Sequence, residues 1–154
     1  MNWVYALARQ ESAFMSDARS HKGALGLLQL LPGTASETAR RNGIAFHGNG
    51  DLLEPETNIR LGTAHLSELL DSFGGNRVLA TAAYNAGEHR VRSWLNDEAA
   101  TLDSDVWLET MPFYETRQYV KNVMSYTIIY GHRRGELPAR LLTQQELACA
   151  CIEE

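Results

Sequence analysis

The stretch LARQESAF, residues 7 to 14, carries an acid where a helix would bury apolar groups. At about 100° per residue, with Leu7 as zero, Trp3 and Phe14 fall about 40° and 20° to one side, Val4 and Glu11 about 60° and 40° to the other. Arg9 and Ser12 point away. Glu11 therefore shares the apolar stripe, where loss of water disfavours the carboxylate and raises its pKa. Such a setting suits a carboxyl group that gives up a proton near neutral pH. If the helix ends here instead, Glu11 faces solvent, and residues 7 to 14 alone leave both readings open.

Further residues suited to holding a polar ligand sit in three later stretches, GALGLLQLLPGTA, AAYNAG and PFYETRQYVKNV. Gln29 and Asn85 each offer a donor and an acceptor, fit for amide and hydroxyl groups of a polar ligand. Tyr84 and Tyr119 have flat apolar faces with a polar tip, useful against a ring that is apolar on its face and polar at its edge. Glu115 lies four residues before Tyr119 on the same helical face and can accept a hydrogen bond from a sugar or from Tyr84. Each also has a structural reading when taken singly: a tyrosine on a helical stripe is core, and Asn85 before Ala86-Gly87 ends a helix. The five histidines (His21, His47, His65, His89, His132) show no H-E-x-x-H or other ligand spacing and are expected mostly at the surface. HGNGD at 47 to 51 lacks the alternating carboxylates and closing glutamate of a calcium loop. No metal and no cofactor are expected.

The elements that must position these groups read as helices. The first covers about residues 2 to 13, followed by a Gly- and Ser-rich loop. Pro32-Gly33, then Thr34 with Glu37 as a capping box, begin a second helix that Asn42-Gly43 stops. Residues 44 to 56 have no helical period. Thr57 or Asn58 can cap a third helix, whose Ile59, Gly62, Leu66, Leu69 and Phe73 make an apolar face. Asn76 caps RVLATAAYNAG, stopped by Gly87; a short helix EHRVRSWL and a polar connection through Asp103 and Asp105 follow. The last long helix, about 113 to 130, carries Tyr119, Val123, Tyr126 and Tyr130 as a one-sided stripe. Thr143 and Glu146 form another capping box in a helical tail, 136 to 154. With no strand-like alternation and no repeat, the class is mainly α.

The 154 residues, 44% hydrophobic, suit one domain with a single core. A net charge of −5 without a basic run argues against nucleic acid as a partner. No window has the roughly 20 apolar residues that cross a bilayer. MNWVYALARQ has no basic region followed by an apolar one, so no signal peptide is visible; a helix entered this early suggests a domain cut from a longer protein. Cys149 and Cys151 alternate, so their side chains point apart, which disfavours a disulfide. With no nearby histidine they make a weak zinc site, and they read as incidental.

In order and spacing, four elements together resemble the soluble lytic transglycosylase family: Glu11-Ser12; Gly26-Leu27-Leu28-Gln29 with Pro32; Ala83-Tyr84-Asn85; and Glu115-Thr116-Arg117 with Tyr119. The resemblance runs from about Trp3 to Gly131, with Leu28 in place of the family's methionine, a near-isosteric change. It implies a goose-type-lysozyme-like fold with a glycan-binding cleft and Glu11 as the catalytic acid/base. Ser20 and Leu31 match positions lining the glycan subsites, and Glu115 one within the substrate cleft. The implied reaction cleaves the β-1,4 bond between N-acetylmuramic acid and N-acetylglucosamine of peptidoglycan without water, leaving 1,6-anhydromuramyl ends. A periplasmic or envelope location follows from that substrate, and a monomer is expected. The extra superhelical domain of some members is not expected in these residues. Arg117 is expected in a structural ion pair with a carboxylate on a neighbouring helix. A hydrolase on the same fold and a silent glycan-binding module are the rivals.

Overall fold

A computed structural model describes residues 1–95, 102–136 and 142–147. Among them the regular elements are helical: α1 (Asn2–Ser12), α2 (Pro32–Asn42), a 3-10 turn (Asn49–Leu53), α3 (Pro55–Ser72), α4 (Arg77–Ala86), α5 (Glu88–Trp94), α6 (Ser104–Thr110), α7 (Tyr114–Arg133) and α8 (Gln144–Leu147). The only extended pairing among these residues is a pair of isolated bridges, Arg19 with Leu25 and Leu25 with Leu30. The mainly α class expected from the sequence is the observed one. Cys149, Cys151 and the end of the expected tail helix lie outside the described residues.

Helix α4 is the hub. Its sequence RVLATAAYNA is apolar on nearly every side, the pattern of a helix surrounded by others, and Val78 through Ala83 are all buried. Its small alanines let α3, α5, α6 and α7 approach it. Asn76 caps it as expected, its side chain accepting from the backbone N–H of Val78 (3.0 Å) and Leu79 (3.2 Å). Helix α1 lies along α7, with Ala6 and Leu7 buried in one cluster with Tyr119, Val120 and Val123. Because α7 is held between α1 and α4, its buried face is wider than one stripe: Val120, Met124 and Thr127 join Tyr119 and Val123, and Tyr126 and Tyr130 are only half-buried.

A second, smaller cluster joins Leu25 and Leu30 to Ala35 and Ala39 of α2, Leu52 and Leu61. Tyr84 packs against both clusters and so ties the two parts of the molecule together.

Several local expectations are corrected. Helix α2 begins at Pro32, which presets the helical φ. Leu31 stands at the N-cap without a side-chain bond, so Thr34 and Glu37 form no capping box; Glu37 pairs with Arg41 instead, at 2.7 Å. Helix α3 likewise begins at a proline, Pro55, which moves Asn58 from a cap into the buried helix interior, and Ile59 is 42% exposed. The polar connection near Asp103 and Asp105 contains α6, anchored by the buried Trp107. Thr143 and Glu146 do form their capping box, with Thr143 N–H donating to Glu146 (2.8 Å) and Glu146 N–H to Thr143 Oγ1 (3.2 Å). Arg77 of α4 pairs with the same Glu146 and ties that helix to the body.

Candidate active site

Helix α1 ends one residue after Glu11. Ala13 and Phe14 take left-handed φ of 52° and 67°, turning the chain away, while Ser12 folds back to donate to the Ala8 carbonyl at 3.1 Å and is buried, not outward-facing as expected. The helix does end here, yet Glu11 is still largely withdrawn from water. The Tyr119 hydroxyl donates to Glu11 Oε1 at 2.5 Å. Burial pushes the Glu11 pKa up to about 7, against the opposing pull of that hydrogen bond. The Tyr84 and Tyr119 hydroxyls are driven well above 10, first by burial and then by the Glu11 charge, so both remain neutral donors.

The wall opposite the helix is a tight turn, residues 24 to 31. Leu25 and Leu30 exchange backbone bonds of 3.0 and 3.1 Å, and Gln29 sits at φ 46°. Asn58, fully buried, holds the turn from below. Its Oδ1 accepts from Leu28 N–H (2.8 Å), and its Nδ2 donates to the carbonyls of Leu25 (2.9 Å) and Leu52 (2.8 Å). Tyr84 donates to the Leu28 carbonyl at 2.8 Å, so Leu28 is gripped from two sides. The approach is close enough to demand glycine: a Cβ at Gly26 would lie 2.1 Å from the Leu52 carbonyl oxygen, and one at Gly62 2.4 Å from Leu28 Cδ1.

Glu11, Ser20, Gln29, Leu31, Tyr84, Asn85 and Glu115 all line one cleft of about 360 Å³. Gln29 spends both amide hydrogens on the carbonyls of Ala18 (3.1 Å) and Gly26 (2.8 Å), leaving Oε1 to accept. Asn85 is fixed the other way: its Oδ1 accepts from Thr116 Oγ1 at 2.8 Å, leaving Nδ2 as donor. Ser20 Oγ accepts from Ala24 N–H at 3.0 Å. Glu115 is exposed and takes nothing from Tyr84, whose hydroxyl is committed to Leu28. Tyr119, only 5% exposed, lies beneath Glu11, not on the cleft wall, and offers no face to a sugar. Lys22, Asn85 and Glu115 also line an adjoining groove of about 450 Å³ that continues to Arg90, Phe113 and Tyr114.

Arg117 meets Glu109 of α6 at 4.0 Å and donates to the Met111 carbonyl at 2.8 Å. Lys121 takes Glu109 more closely, at 2.6 Å. The sequence marks Asn58 only as a helix cap and His65 only as one of five histidines expected mostly at the surface; in the structure Asn58 holds the turn and His65 borders the cleft. The signal for His65 was its place three residues after Gly62, on the flank of the buried face of α3. No group of three metal-ligating side chains occurs among the described residues.

The fold and cleft define a lysozyme-like helical domain with one desolvated carboxyl group at its centre. The transglycosylase SLT domain family matches residues 1–106, and the soluble lytic transglycosylase helical domain matches residues 110–139, most of which is α7. This chain belongs to the transglycosylase SLT family. It is 48% identical over 139 residues to a soluble lytic murein transglycosylase of Salmonella typhimurium, covering 90% of this chain and 22% of that protein. Against the protein of the same description from Escherichia coli K12 the identity is 45% over 138 residues, covering 89% and 21%. The structure of an inactive glutamate-to-glutamine mutant of lytic transglycosylase Slt from Pseudomonas aeruginosa matches with TM-score 0.91 at 54% identity, covering 96% of this chain and 24% of that one. The 70-kDa soluble lytic transglycosylase of Escherichia coli also matches with TM-score 0.91, at 43% identity and the same coverage. The chain thus spans about a fifth to a quarter of the length of these relatives. No described helix is long and apolar enough to cross a membrane.

Proposed function

We propose that this domain is a peptidoglycan lytic transglycosylase. It cleaves the β-1,4 bond between N-acetylmuramic acid and N-acetylglucosamine without water, and Glu11 is its sole acid/base. The observation that carries the reading is the state of Glu11: in the cleft, bonded to Tyr119 through Oε1, with a pKa raised to about 7. A group that must first donate and then accept one proton works best when its pKa lies near the working pH.

Glu11 Oε2, free of Tyr119, protonates the glycosidic oxygen as the C1–O bond breaks. The substrate's own acetamido group supports the oxocarbenium-like charge at C1. The Glu11 carboxylate then takes the proton of the C6 hydroxyl, whose oxygen closes onto C1 to give the 1,6-anhydro sugar. Closure within one sugar has the advantage of effective molarity over attack by water. The Gln29 acceptor and Asn85 donor hold acetamido and hydroxyl groups in register, and Leu31 offers an apolar surface to a ring. Ser20 and Glu115 bound the same subsites. That one glutamate-to-glutamine change inactivates the related Pseudomonas aeruginosa protein is in keeping with chemistry that turns on one carboxyl group. A periplasmic or envelope location follows from the substrate.

Mass spectrometry of digested sacculi tests the proposal. Anhydromuramyl ends are expected; reducing ends would instead make the domain a hydrolase. No products at all, from a protein that still binds glycan, would make it a silent module.

A further inference from the structure

His65 stands on α3, one turn beyond Gly62, and borders the cleft on the side formed by α2 and α3. Its ring centroid lies 5.5 Å from that of Tyr84, the planes tilted by 45°. The side chain is 19% exposed, yet Nδ1 is buried and has no hydrogen-bond partner among the described residues. A Glu68 carboxylate oxygen lies 3.9 Å from Nδ1, beyond hydrogen-bond reach. Glu68 is held where it is from α2, by Arg41 at 2.6 Å and Asn42 at 2.7 Å. Nε2 is therefore the accessible nitrogen of the ring.

The charges around the imidazole are Glu68 on its own helix, Arg41 on α2 and Glu88 at the start of α5. Burial is the largest influence and lowers the His65 pKa, with Arg41 adding to it and the two carboxylates opposing. The ring is neutral at pH 7, so one nitrogen carries a proton and the other a lone pair. A lone pair on Nδ1 would face the Glu68 carboxylate, so the proton belongs on Nδ1. The cleft then meets the lone pair of Nε2.

The geometry points to His65 as a specificity-determining substrate contact, its Nε2 accepting a hydrogen bond from a hydroxyl or acetamido N–H of the bound glycan. The inference rests on the glycan-cleaving reading above. It adds a neutral acceptor on the α3 side of a cleft that Gln29 Oε1 and the Ser20 hydroxyl also line. Tyr84 keeps the ring in place, and His65 in turn supports the tyrosine that grips Leu28.

Three proteins decide it: wild type, His65→Phe, which keeps a ring against Tyr84 but has no acceptor, and His65→Gln, which returns an acceptor near the Nε2 position. For His65→Phe, KM on soluble glycan strands is expected to rise about threefold to tenfold, the worth of one hydrogen bond, with most of kcat retained. His65→Gln brings KM back toward wild type, an outcome that a merely structural role would not produce. In wild type, KM rises as pH falls through the lowered His65 pKa, a readout that needs no variant to fold, and His65→Phe loses that limb. An active wild type whose KM is matched by His65→Phe, or shows no acid limb, overturns the inference and leaves the proposed function standing. An inactive wild type overturns the function. In that case glycan affinities of Glu11→Gln with and without His65→Phe still decide the contact, and equal affinities refute it.

Discussion

Asn58 and Glu11 are both polar side chains withdrawn from water, one fully buried beneath the turn and one lining the cleft, and the structure treats them oppositely. Asn58 is completely buried, and its three hydrogen bonds of 2.8 to 2.9 Å satisfy three backbone groups of the turn and of Leu52. Among the described residues Glu11 has one bond, to Tyr119, and burial strong enough to hold its pKa near 7. Satisfied polar groups fix a backbone, whereas a half-satisfied acid stores free energy that chemistry can use. The first holds the turn in place; the second, on the proposed function, supplies the reactive group.

The largest expected effect breaks the reactive side of this contrast. Glu11→Gln keeps shape but cannot transfer a proton, so turnover of sacculi falls about a thousandfold or more while glycan binding survives. Its stability effect has a definite sign. The Glu11 pKa is about 7 in the fold against 4.5 for the free group, so the folded state holds that proton more tightly. The resulting stabilisation is complete below about pH 4.5 and is lost as pH rises through about 7. Gln carries no such liability. In urea unfolding, Glu11→Gln should exceed wild type above pH 7 by about 2 kcal/mol, with the gap closing toward pH 5.

Asn58→Ala breaks the other side. It strands a buried N–H and two carbonyls and should cost about 3 kcal/mol or more in urea unfolding. A wild-type midpoint in this variant would show that Asn58 is not the support of the turn. Gly62→Ala presses Leu28 from the same direction and should cost about 1–3 kcal/mol. Tyr119→Phe sharpens the contrast: without the Tyr119 hydrogen bond, which lowers its pKa, Glu11 becomes a weaker acid. The limb of kcat/KM that falls as pH rises should then move above the wild-type position near 7. The smallest pair concerns helix ends. Thr143→Ala loses a formed capping box, at about 1 kcal/mol. Thr34→Ala loses none and should leave stability within about 0.5 kcal/mol.

The same contrast separates what could be read in the sequence from what could not. Glu11 was legible because a 3.6-residue period put an acid among apolar neighbours, and Asn76 and Thr143 because capping depends on adjacent residues alone. The sequence marks Asn58 as a cap, but Pro55 starts α3 earlier, and its partners Leu25 and Leu28 are distant in sequence. The stripe on α7 tells that Tyr119 is inward, not which group it meets; it meets Glu11. Helix α6 was hidden by its acidic residues, since its place depends on one buried aromatic, Trp107. His65 shows no ligand spacing, and only the packing of α3 against the turn brings it to the cleft.

The central claim is that one carboxyl group is poised between acid and base. Carbon-13 NMR of the Glu11 side-chain carboxyl, followed from pH 4 to 9 and assigned by its absence in Glu11→Gln, tests it directly. The account predicts a single titration with its midpoint near 7. A midpoint near 4.5, the value of a carboxyl group in water, would contradict it.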